Sequence, residues 1–78
     1  MKHEGLLKGL AELAAEMFGV YKRSSDKCYL DEVYRFKGVF GDVCDWHDLY
    51  DESREVELLW NTTLKAAGAK GDVLFDVR

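Results

Sequence analysis

Apolar positions recur along the first twenty residues with the period of a helix. Leu6, Leu10, Leu13 and Met17 are separated by four, three and four residues, and Leu7, Ala14, Phe18 and Tyr21 run beside them. Lys8, Glu12 and Glu16 fall between these positions. Steps of three and four gather side chains on one face of a helix, so the spacing predicts an amphipathic helix over residues 4–21. Gly19 is a natural end for it, and Lys22-Arg23-Ser24-Ser25-Asp26 reads as a loop.

The next segment carries two patterns. As a helix, Tyr29, Val33, Phe36 and Phe40 share a face, with Asp26 or Ser25 as N-cap. As a strand, Tyr34, Phe36 and Phe40 alternate with Arg35 and Lys37. The helical reading is favoured for residues 27–37, with extended or irregular chain around Gly38 and Gly41.

Further on, Val56, Leu59, Trp60, Thr63, Leu64 and Ala67 form a helical stripe, and Glu55, Glu57, Asn61 and Lys65 lie opposite. Asp45 suits an N-cap, with Asp48 in the reciprocal position three residues later. One long helix from Trp46 and a separate helix capped by Ser53 both fit. Acids near the start and Lys65 near the end match the helix macrodipole. Gly68 suits the residue just past the end.

Near the C-terminus Val73, Phe75 and Val77 alternate with Leu74 and Asp76, which predicts a strand over residues 72–77. A lone strand leaves backbone groups unpaired. It therefore requires a mate: residues 37–43, a second copy, or the sheet edge of a partner.

These patterns give a mainly α fold of about three helices (4–21, 27–37 and 45–67) with a minor β element that includes the C-terminal strand. The expected core is Leu10, Leu13, Met17, Phe18, Val33, Phe36, Val56, Leu59, Trp60, Leu64 and Phe75. A length of 78 residues admits one small domain, residues 1–78. The apolar fraction of 47% and aromatic fraction of 13% favour a folded chain over disorder.

Charge adds what periodicity leaves out. The net charge is −4, and it is unevenly spread. Residues 1–39 hold seven Lys/Arg and six Asp/Glu, whereas residues 40–78 hold four and nine. Between Asp42 and Glu57 seven acids stand against one base, Arg54. An acidic balance disfavours direct nucleic-acid binding, which needs Lys/Arg to displace phosphate counterions. It favours a basic protein partner and speeds the encounter with one.

Within that segment an acid opens each of four successive triplets: Asp42-Val43-Cys44, Asp45-Trp46-His47, Asp48-Leu49-Tyr50 and Asp51-Glu52-Ser53. On a helix these carboxylates form a ladder that drifts around the axis. Such a row resembles a phosphate backbone to a groove lined by Arg and Lys. Trp46 and Tyr50 set aromatics among the acids, as at an interface hot spot with a charged rim. The candidate partner-binding residues are therefore Asp42, Asp45, Trp46, Asp48, Tyr50, Asp51, Glu52 and Glu55. Helix capping and a solvated face are the plainer account of the same acids.

Cys44-x-x-His47 is half of a zinc site, and no second half of matching spacing is present. As a nucleophile–base pair it lacks a recognisable oxyanion hole. No glycine loop has the flanks of a phosphate cradle. The sequence thus predicts a binding module that is not an enzyme and uses no cofactor or metal. Inhibition of a basic, nucleic-acid-binding protein is one form of that role. Two other readings compete. A small DNA-binding regulator of helix-turn-helix or winged-helix type would use Lys22, Arg23, Lys27, Arg35 and Lys37. A homo-oligomeric assembly subunit, a homodimer for instance, would explain the orphan strand. No secretory signal or membrane span is legible, so the expectation is a cytoplasmic chain with Cys28 and Cys44 reduced and buried.

Overall fold

A computed structural model of the chain describes residues 4–46 and 53–76, with side chains over 4–43 and 55–76. Three helices follow one another: α1 (Glu4–Ser24), α2 (Lys27–Trp46) and α3 (Ser53–Ala66). A short 3-10 turn at Gly71–Val73 comes after them. Helix α1 packs against both other helices. The mainly helical, three-helix expectation holds. The boundaries and the C-terminal segment differ from those predicted.

In α1 the buried face is Leu7, Ala11, Ala14 and Phe18. It lies one residue, or about 100° around the helix, from the stripe of larger side chains. Leu10 and Met17 flank the core, but Leu6 and Leu13 are 52% and 46% exposed, so Leu13 does not belong to the core. Alanines at the contact let α1 come close to both neighbours, because the distance between packed helices is set by the side chains between them. The helix also runs past Gly19 to Ser24. It stops at Ser25, whose φ of 58° is left-handed and whose N–H donates to the Tyr21 carbonyl at 2.7 Å. That is an αL cap occupied by serine in place of the usual glycine.

Asp26 caps α2: its Oδ1 accepts the N–H of Cys28 at 3.1 Å, and its own N–H donates to Ser24 Oγ at 3.2 Å. The bond from the Cys28 N–H holds the Asp26 carboxyl below its ordinary range. A depressed carboxyl contributes stability that is present above the unfolded-state pKa and is lost as pH falls through the folded one. Asp26→Ala is therefore expected to lower the melting temperature near neutrality and to converge on the wild type in acid. Asp26→Asn keeps a capping oxygen, so it should retain most of the stability and show a shallower fall toward low pH. Thermal melts followed by circular dichroism across that range check this. Parallel pH profiles for wild type and Asp26→Asn would refute it.

Helix α2 continues through Gly38 and Gly41 to Trp46, well beyond the predicted end at residue 37. Each glycine costs about 1 kcal/mol relative to alanine in a helix. Burying Phe40 and Val43 returns about 1.5–3 kcal/mol for each side chain, and both are buried on the face begun by Val33. Packing therefore overrides the local breakers.

Asp45 lies inside α2 and does not cap a third helix, so the predicted helix over 45–67 is corrected to Ser53–Ala66. Its buried ridge is Val56, Trp60 and Leu64. Gly68 ends it as expected, with φ at 94°. The Gly68 N–H donates to the Lys65 carbonyl and the Ala69 N–H to that of Leu64, at 2.9 and 3.0 Å. Both bonds define a Schellman cap, completed by buried Leu64 and Ala69. A Cβ at position 68 would also stand 2.7 Å from Lys22 Nζ, which lies across the glycine.

The predicted strand over 72–77 is not formed in the described part of that segment; residue 77 lies outside it. Side chains of α2 and α3 supply the hydrogen bonds that a neighbouring strand would have made. Trp60 Nε1–H donates to the Val73 carbonyl at 2.9 Å. Asn61 Nδ2 donates to the Phe75 carbonyl and Asn61 Oδ1 accepts the Phe75 N–H, both at 2.8 Å. Lys37 Nζ donates to the Asp72 carbonyl at 2.8 Å and sits 5.1 Å from the Phe75 ring centre. Phe40, Trp60 and Phe75 close a triangle of rings with centroids 5.2–5.7 Å apart. Asn61, assigned by the sequence pattern to the solvent side of α3, is buried beneath this segment.

Candidate functional site

The described residues of the acidic segment lie on α2 and on α3. Asp42 is an exposed side chain on α2. Asp45 and Trp46 occupy the last turn of the same helix. Glu55 is exposed in the first turn of α3. Asp48, Tyr50, Asp51 and Glu52 lie outside the described residues, as does His47. The described acids thus fall on two helices, Asp42 and Asp45 on α2 and Glu55 on α3, where the sequence pattern put the ladder at one helix start.

That distinction changes their energetics. A helix N-terminus favours carboxylates and a C-terminus disfavours them, each by about 0.3–1 kcal/mol at the surface. Glu55 stands at a favourable end, with Lys65 in the last turn of α3. Asp42 and Asp45 approach the unfavourable end of α2, whose last turn carries no base. Capping accounts for Glu55 and does not account for them.

Among the described residues no group of three or more His, Cys, Asp or Glu is arranged to hold a metal ion. Cys28 is exposed, contrary to the expectation of a buried thiol. A hydrogen bond to the Asp26 carboxylate pushes its pKa up, with desolvation adding to the effect, so this thiol is held in its unreactive protonated form. The Cys44 side chain lies outside the described side chains.

The five bases of the DNA-binding reading have different surroundings. Lys37 is engaged by the Asp72 carbonyl and the Phe75 ring. Arg35 pairs with Glu32 at 3.2 Å. Lys22 lies over Gly68 at the end of α3, and Arg23 Nη1 lies 3.5 Å from where a Cβ on Gly19 would stand. Two of the five are thus committed within the chain, and the strand that would form a wing is not formed among the described residues.

Asn61 is the residue that pattern reading placed wrongly and that matters most here. The available signal was its position next to Trp60 on a ridge otherwise apolar at Val56, Trp60 and Leu64. No helix among the described residues is long and apolar enough to cross a membrane. Comparison of the chain with protein-family models, with curated proteins and with solved structures returned no match.

Proposed function

We propose that this chain is a small acidic protein-binding module that presents the segment from Asp42 to Glu57 to a basic protein partner. Inhibition of a nucleic-acid-binding protein is the form of that role its charge suits best. The observation that supports the reading is the placement of Asp42 and Asp45 toward the C-terminal end of α2. Helix stability disfavours carboxylates there, so a role outside the helix is the simplest account of them. In the sequence Asp48, Asp51 and Glu52 follow them, and Trp46 and Tyr50 set among these acids the residue types that anchor interfaces.

The test is capture of the partner from a lysate of the native host at low and at high salt, followed by binding measurements on the purified pair. Changing Asp45, Asp48 and Asp51 together to Asn is expected to weaken binding about 10–100-fold, mostly by slowing association. The melting temperature of the free chain should not fall. Binding that survives both the triple substitution and high salt would overturn the reading.

A further inference from the structure

An open groove of about 620 Å3 runs between α1 and α3. Ala15, Met17 and Val20 of α1 and Thr63 of α3 supply its floor. The Thr63 hydroxyl already donates to the Leu59 carbonyl at 2.8 Å and needs nothing from an occupant. Glu12 and Glu16 stand at one end of the groove and Arg23 at the other. All three are exposed, and among the described residues none of them enters an ion pair.

We propose that this groove receives α1 of a second copy of the chain, antiparallel, in a two-fold symmetric dimer. A two-fold interface must be complementary to itself, and this charge order satisfies that condition. With the axis at Gly19, Ala15 lies four residues to one side and faces Arg23, four residues to the other, in the second copy. Arg23 therefore enters between Glu12 and Glu16 of its mate, and the symmetry makes the same contact twice. Each α1 then rests on α1 and α3 of the other copy. Gly19 brings no side chain to the crossing; the Arg23 guanidinium, whose Nη1 lies 3.5 Å from where a Cβ would stand, swings off it to reach the second copy. Helix α1 carries three acids and three bases, so the helix that enters the groove is itself neutral.

The proposal stands independently of the acidic segment, and its test uses other residues. Sedimentation equilibrium of the full chain over a concentration series is expected to show a monomer–dimer equilibrium that weakens with salt. Glu16→Arg and Arg23→Glu should each raise the dimer dissociation constant about tenfold or more, and the double exchange should bring it back to within about threefold of the wild type. Gly19→Ala supplies an independent readout. It removes a helix-weakening glycine without a clash inside the monomer, so it should raise the melting temperature of the dilute chain while weakening association. A monomer at every concentration up to the millimolar range would overturn the proposal. So would a dimer indifferent to both single charge reversals.

Discussion

Trp60→Ala is expected to remove most of the stability of this chain. The indole is fully buried, lies 5.2 Å from the Phe40 ring and 5.7 Å from that of Phe75, and donates its N–H to the Val73 carbonyl. Truncating a buried tryptophan costs about 3–5 kcal/mol. A hydrophobic core in a chain this short rarely supplies more than about 3–5 kcal/mol, so the variant should be largely unfolded or close to it at ambient temperature. Trp60→Phe separates the two roles of the side chain. It keeps a ring in the triangle and orphans the Val73 carbonyl, at about 1–3 kcal/mol. Urea denaturation followed by circular dichroism measures both. A Trp60→Ala midpoint near that of the wild type would mean that the ring triangle is peripheral to the core.

The second large effect is expected at Asn61. Its carboxamide copies a peptide group, giving one bond to the Phe75 carbonyl and taking one from the Phe75 N–H. Asn61→Ala leaves both backbone groups without their partner in a part-buried position, at a cost of about 2–4 kcal/mol. Asn61→Asp is the more telling change. The acceptor for the Phe75 N–H survives, but an ionised carboxylate then faces the Phe75 carbonyl in a site that is only 6% exposed. Burial and that carbonyl both favour the protonated acid, so the folded-state pKa of the new Asp is raised above its unfolded value. A raised carboxyl pKa means that the folded state holds more protons than the unfolded one, so stability falls as pH rises between the two values. Asn61→Asp should therefore be strongly destabilised near neutrality and recover on acidification, whereas Asn61→Ala should not. Equal pH profiles for the two variants would show that the amide does not clamp the segment.

These two residues also mark where the sequence was legible and where it was not. Phe75 was expected in the core and packs against it, and the backbone there does find partners, as it must; the strand read from the alternation is not formed among the described residues. What periodicity does not encode is that the partners are side chains of Lys37, Trp60 and Asn61. Those contacts are 13 to 35 residues away in sequence. In α1 two apolar stripes lie side by side, and a wide apolar arc predicts a helix without predicting which stripe is central. The larger residues at 6 and 13 drew the expectation outward. Small Ala11 and Ala14 hold the true contact, where close approach matters more than side-chain size. In α2 the glycines at 38 and 41 were read as an end because local preference is visible in sequence and burial of Phe40 is not. At the candidate site the acids themselves were plain from composition. The placement of Asp42 and Asp45 on α2 depended on that helix running on through Gly38 and Gly41, and the burial of Phe40 and Val43 carries it there.

The bonds from Trp60 and Asn61 to the last described turn set an order of events during synthesis. Translation proceeds from the N-terminus at about 5–20 residues per second. Phe75 follows Asn61 by 14 residues, so the ribosome reaches it about 1–3 s later. Throughout that interval α1, α2 and most of α3 have already been made, and Phe40 and Trp60 have no lid. A chain that stops shortly after Asn61 and has been released should therefore display a greasy, chaperone-binding surface that Phe75 covers in the full chain.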